Sequence, residues 1–449
     1  MSPNDHINLL MIALVAVVGL ILLVTVFRIQ AFLALLVASL FVGLTSGMDL
    51  ALIGKAIETG VGGVLGSIAL VIGLGTVLGR MLAESGGASV AAETLVKAAG
   101  GKHLAWALAA VAFLIGLPVF FPVGLMLFVP VVFALAGRHR VSWLVLVLPV
   151  VAGLSIAHGL VPPHPGPMAA IGLLKADVGK TIGWSLLLSV PLLALAGPLF
   201  TRFMVPRLIV KTPILPPASE PNVASNNKQA TFPLTLSIIL LPVLMMLTGS
   251  LAALLSPEGS SRRSLFTLLG HPVFAMLTGV LYSMLILNRH CGFNRTQLLK
   301  FSEECLGPVA GVLLVIGAGG GFSRVLIDSG VGEAVKSLAA NWHLPPLLLG
   351  WLLAAMVRVA TGSATVAITA AAGLLAPMVT SDPSVNRELL VLSLGCGSLI
   401  LSHVNDGGFW LVKECFQLSV SETLRTWTVL ETIIAIAGLG LILLLNTLI

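Results

Sequence analysis

Charge is the scarcest property of this sequence. Only 9% of its 449 residues are Asp, Glu, Lys or Arg, while 57% are hydrophobic, against about 25% charged in a soluble domain. Such a composition cannot cover a globular surface with polar groups, and it fits a chain lying mostly in lipid. Cysteine is also sparse: Cys291, Cys305, Cys396 and Cys415 show neither close metal-ligand spacing nor a disulfide framework. The start, MSPNDHINLL, lacks a basic leader, and no small-residue cleavage pattern follows its apolar run, so it reads as a retained anchor. A nucleotide-binding domain, a metal-ligand pair at helical spacing and an activated nucleophile are all missing from the pattern. These absences argue against ATP-driven transport, against an intramembrane enzyme, and against any cofactor, metal or nucleic-acid partner. The formal charge of +6 is then first a signal of topology.

Apolar segments dominate what is there. Several reach the roughly 20 residues that cross a bilayer as a helix. Two, Leu104 to Ala136 and Pro345 to Val379, are too long for one crossing and too short for two. Pro118 and Pro122 interrupt the first; the run Gly362, Ser363, Ala364, Thr365 interrupts the second. Both read as broken helices or re-entrant hairpins. LVIGLGTVLGRMLAESG, from Leu70 to Gly86, recurs as LVIGAGGGFSRVLIDSG, from Leu314 to Gly330, at an offset of 244. At the same offset the two broken segments overlay, and at 245 His158 falls on His403. The expected organisation is all-α and polytopic, with roughly 10 to 12 spans in two repeats of inverted topology, residues 1–206 and 232–449. Residues 207–231, rich in Pro, Ser and Asn, form a polar linker read as cytoplasmic. With the linker inside, basic residues in the inside loops outnumber those outside by about two to one.

Polar groups at membrane depth are costly and mark candidate sites. Around Ser363 the backbone loses helix support where lipid offers no partner. Either a discontinuous helix points its N-terminus at an anion, or small residues allow close helix packing. His158 and His164 flank GLVPPHPG, whose prolines predict a non-helical loop. Each ring is placed either to bind hydroxyls or a proton, or to cap carbonyls freed by proline. His403, Asn405 and Asp406 precede Gly407 and Gly408, an arrangement for hydroxyl recognition or cation coupling that is also an ordinary turn. Arg80 with Glu84, and Arg324 with Asp328, sit at i and i+4 and read as structural pairs.

The motifs LGRMLAESGGA, HGLVPPHPGP, LLVIGAGGGFSRVLIDSGV, GSATVA and SHVNDGGFW, in this order along nearly the whole chain, resemble the gluconate permease family. The resemblance implies a multi-pass permease of the bacterial inner membrane that imports gluconate or a related sugar acid with protons, by an elevator-like movement; a moving domain needs a fixed partner surface, so a homo-oligomer is expected. Idonate, fructuronate and D-serine are other substrates among similar proteins. Carried over by position, Gly362, Ser363, Ala364 and Thr365 line the substrate site, with His158, Pro163, His164, His403 and Asn405 beside it. Asp406, His158 and His164 are the proton-coupling candidates. One departure stands out: similar chains often place an acid after the paired aromatics of the first broken segment, where this sequence has Pro122 after Phe120 and Phe121.

Overall fold

In this computed structural model the described residues are 3–87, 90, 91, 94, 97, 103–139, 141–208, 228–257, 260–331, 334, 345–403 and 406–449. The greater part of the proposed linker, and Asn405, lie outside them. Lipid supplies no hydrogen bonds, so an apolar chain must satisfy its backbone internally. The chain answers with helices. The N-terminal half runs α1 (Pro3–Thr25), α2 (Ala31–Thr45), α3 (Leu50–Glu84), α4 (Leu104–Gly116), α5 (Phe121–His139), α6 (Trp143–Leu160), α7 (Pro165–Leu174) and α8 (Val178–Ala194), the last continuing through a wide turn at Leu195–Leu199. The C-terminal half runs α9 (Phe232–Leu255), α10 (Ser261–Leu269), α11 (Pro272–Ile286), α12 (Arg295–Glu304), α13 (Gly307–Asp328), α14 (Pro346–Thr361), α15 (Ala364–Ser381), α16 (Arg387–Gly397), α17 (Gly407–Cys415) and α18 (Val429–Asn446).

Among the described residues seven helices are long and apolar enough to cross a membrane, and α3, bent by 41°, makes an eighth. Shorter apolar helices, α4, α14 and most of α15 among them, account for the broken segments. The breaks fall at Leu117 to Phe120 and at Gly362 and Ser363. At the second, Gly362 takes the left-handed conformation, φ +70°, that a side chain would resist, and Ser363 then caps α15. Thr365 is therefore already helical. The proline-rich stretch is shorter as a loop than its composition predicts. Only Val161 to His164 leave the helix, because Pro165 and Pro167 fall in the first turn of α7, where no backbone N–H is required of them. The pairs Arg80–Glu84 and Arg324–Asp328 both form, each at 2.9 Å.

The centre of the molecule is α6, whose residues are buried almost throughout because it is apolar on every side. α16 is its counterpart, and the two touch where Gly159 faces Gly395. α4 packs along α6, and α14 along α16. These two contacts use one device at equivalent positions. A Cβ added to Gly153 would lie 2.6 Å from the Ala109 carbonyl oxygen, and one added to Gly397 would lie 2.4 Å from that of Trp351. Backbone pressed on backbone cannot yield as a flexible side chain can. Gly397→Ala is therefore expected to destabilise the protein by about 1–3 kcal/mol, read as a lower melting temperature in detergent. An unchanged melting temperature would show that this contact has slack.

Candidate functional site

α15 lies between α7 and α13, and its first turn opens on a cavity of about 300 Å³. That volume is at the lower end for small-molecule sites, about 300–1,000 Å³. Three helix starts meet on its wall: Phe121 and Pro122 of α5, Ala364 and Thr365 of α15, and Gly407 and Gly408 of α17. The first turn of a helix has N–H groups with no carbonyl four residues back and carries partial positive charge. Pro122 has no N–H and the Gly408 amide already donates to Asp406, so the first turn of α15 is the end that can meet an anion's oxygens. Ser363 accepts a hydrogen bond from the Val366 amide at 3.4 Å, and its own amide donates to Thr361 Oγ1 at 3.4 Å. The first of these is long, so the Ser363 hydroxyl is only loosely committed to the protein.

Arg358, one turn before the break, is 4% exposed. Its Nη1 donates to the Gly362 carbonyl at 2.7 Å, and its Nη2 donates to the Asp406 carboxylate. Nε has no partner. Asp406 caps α17 by accepting from the Gly408 amide at 2.8 Å, and it also accepts from the Ser402 hydroxyl. The Ser402 oxygen in turn accepts from the Trp427 indole at 2.6 Å. One connected network thus joins the end of α14, the start of α17 and the turn that precedes α18. The ion pair is buried, so Asp406 balances the charge that Arg358 brings to the cavity.

Glu431, 1% exposed, also lines the cavity and accepts a hydrogen bond from the Ser155 hydroxyl of α6. No basic side chain is paired with it among the described residues. His158, near the end of α6, also lines the cavity, and its buried Nδ1 lacks a partner among the described residues. His164 stands behind it, ring centroids 5.0 Å apart, and donates from Nε2 to the Gly116 carbonyl at 2.6 Å. That bond caps the end of α4 and satisfies a carbonyl freed at the first break. Phe121 and Trp427, with ring centroids 5.2 Å apart, complete an apolar wall.

Of the residues singled out from sequence, Gly362, Ser363, Ala364, Thr365, His158 and Asp406 come together on the cavity. Pro163, His164 and His403 do not line it. His403 is instead tied by Nδ1 to the Leu401 carbonyl at 2.7 Å, and Asn405 is not among the described residues. Arg358, Glu431, Ser155 and Trp427 belong to the site although the motifs did not mark them. Two carried a readable signal. Arg358 is the sole basic residue between Pro345 and Val379, and Glu431 the sole charged residue after Thr426, so each is an ionisable group inside an apolar run. A larger space of about 630 Å³, beside Asp49, Lys55, Arg324 and Asp328, is lined by exposed charges and has no comparable buried network.

Among the described residues the chain is all-helical, with spans long enough for a membrane and a polar cavity at the meeting of broken helices, the architecture of a membrane carrier. The comparisons agree with that class. The sequence pattern of the GntP family permease matches residues 7–449. A gluconate permease of Pseudomonas aeruginosa is 46% identical, covering 98% of this chain and 97% of its own. The high-affinity gluconate transporter of Escherichia coli is 39% identical, covering 97% and 99%. Among solved structures, the YdaH transporter of Alcanivorax borkumensis is similar in fold, with a TM-score of 0.61 at 18% identity over 89% of this chain and 90% of that one. The chain belongs to the GntP family of permeases, multi-pass proteins of the inner membrane.

Proposed function

We propose that this permease imports gluconate or a closely related sugar acid together with a proton, by alternating access of the elevator type. The observation that carries the reading is the first turn of α15, open on a cavity that also holds hydroxyls and an unpaired imidazole nitrogen. The carboxylate of the substrate sits at the first turn of α15, against the amides of Ala364 and Thr365 and the Ser363 hydroxyl. Its hydroxyls meet His158 Nδ1 and Arg358 Nε. Relatives named for gluconate support the choice of substrate. Coupling to a proton suits a monovalent anion, because the pair is neutral and the inside-negative potential then does not oppose entry.

The glycine contacts support the mechanism, since they tie α4 to α6, α14 to α16 and, through Gly395 on Gly159, the two pairs to each other, so that the four helices move as one body. That body, drawn from the halves 1–206 and 232–449 in inverted orientation, then carries the cavity to the two sides in turn. A moving body needs a fixed frame, and a homo-oligomer provides one.

Uptake of labelled gluconate by purified protein in sealed vesicles tests the reading, with idonate and D-serine as competitors and with or without an acidic exterior. Saturable uptake stimulated by the gradient is expected, with gluconate the strongest competitor. Saturable uptake indifferent to the gradient would remove the proton, and preference for a competitor would change the substrate while keeping the carrier. Absence of uptake of any of the three would end the sugar-acid reading.

A further inference from the structure

Two carboxyl groups line the cavity, and they are in opposite circumstances. Asp406 accepts from Arg358, Ser402 and the Gly408 amide, so protonating it would break the cap of α17 and the tie to α14 together. Glu431 accepts from Ser155 alone among the bonds recorded for it, and no cation is paired with it among the described residues. The Arg358 guanidinium on the same cavity is already held by Asp406, so an ionised Glu431 has no cation of its own, and a proton removes the cost of burying it without breaking any helix cap.

We infer that Glu431 is the residue that carries the coupled proton. The inference rests on the symport reading given above and names the group that symport requires. Glu431 borders the same cavity as Ser363 and Thr365, so its charge and the substrate's act on each other directly. An ionised Glu431 repels an incoming carboxylate, and a protonated one admits it. Loading is thereby ordered, proton before substrate. On the far side the substrate leaves first, and the O–H bond of Glu431 then breaks as a new O–H bond forms on an internal water, leaving the carboxylate ionised and the proton in the internal solution.

The same helix passes the change onward. Trp427 lies one turn before Glu431, and its indole holds Ser402, which holds Asp406 and through it Arg358. A shift of α18 that follows the loading of Glu431 therefore reaches the break at Gly362. The charged and titratable groups facing Glu431 are His158 of α6, Arg358 of α14 and Asp406 at the start of α17. α16 contributes Cys396, which packs against Gly438 further along α18, and α8 carries only Lys180, exposed at its distant end. The turn before α18 bears Arg425, which is exposed.

His158 is the competing carrier, and one experiment separates the two. Purified parent protein, Glu431→Gln, Glu431→Asp, Ser155→Ala and His158→Gln are placed in vesicles with an interior pH dye and labelled gluconate. For one proton per monovalent anion, a gradient of one pH unit drives about tenfold accumulation. The parent is expected to reach that ratio and to acidify the interior when gluconate is added. Glu431→Gln is expected to equilibrate gluconate at a ratio of about one, with the dye signal lost. Glu431→Asp and Ser155→Ala keep the carboxyl in altered surroundings, and the pH midpoint of uptake should move in both. If Glu431→Gln fails to reach the membrane, these two decide, and unmoved midpoints overturn the inference. Accumulation at the parental ratio in Glu431→Gln overturns it as well, and accumulation lost only in His158→Gln transfers the proton to the imidazole. A parent that moves gluconate without the dye signal would instead defeat the symport reading itself.

Discussion

Arg358→Ala is expected to abolish transport and to cost about 3–5 kcal/mol, the range for removing one partner of a buried ion pair. Native stabilities are only about 5–15 kcal/mol, so the loss is severe. It has two components. The Asp406 carboxylate is left buried with its cation gone, and the Gly362 carbonyl loses the donor that fixes the break. The double variant Arg358→Ala, Asp406→Asn separates them, because it removes the orphaned charge without restoring the donor. Its melting temperature should recover much of the loss while uptake stays absent. Arg358→Lys keeps the charge, yet a single ammonium cannot reproduce the fork that holds Gly362 and Asp406 at once. Its uptake should fall between the parent and the alanine variant. Parental uptake in Arg358→Ala would show that the network is dispensable.

Ala364→Asp is expected to eliminate substrate binding while leaving the fold intact. The position is the first residue of α15, where a carboxylate favours the helix by about 0.3–1 kcal/mol. The same carboxylate occupies the place proposed for the substrate's own. Two like charges about 4 Å apart at an effective dielectric of about 20 repel by about 4 kcal/mol, which is a loss in affinity of several hundredfold or more. Expression and melting temperature should match the parent, and Ala364→Ser, which adds a hydroxyl without charge, should bind within a few-fold of it. Binding of labelled gluconate to detergent-solubilised protein reads the effect. Parental affinity in Ala364→Asp would remove the start of α15 as the carboxylate site.

Much of this architecture was legible in the residues themselves. The length of Leu104 to Ala136 and of Pro345 to Val379 already required a break in each, because rise per residue and bilayer thickness leave no other solution. Pro118 and Gly362 then located the breaks within a few residues. The recurrence of Leu70–Gly86 at Leu314–Gly330 is read as two halves of one plan, and the glycine contacts at Gly153 and Gly397 stand at the same offset. The site was legible where it is local. Gly362 to Thr365 are adjacent in sequence and stay adjacent on the wall. It was illegible where it depends on tertiary approach. Nothing in the neighbourhood of His164 distinguishes a ring that caps Gly116 from one that meets substrate, since its partner lies 48 residues away. Asn-Asp-Gly-Gly reads as a turn because turns and helix caps use the same residues; only the helix that follows makes Asp406 a cap.

The Arg358–Asp406 pair also sets a condition on how the protein is made. Arg358 precedes Asp406 by 48 residues, and at about 5–20 residues per second of synthesis its partner follows it by roughly 2–10 s. During that interval α14 carries a guanidinium that disfavours membrane insertion by about 2.5–3.5 kcal/mol. The first half of the chain, already synthesised, is the surface against which such a helix can wait. Order of translation thus becomes a condition of assembly: the charge on α14 is made before the group that balances it.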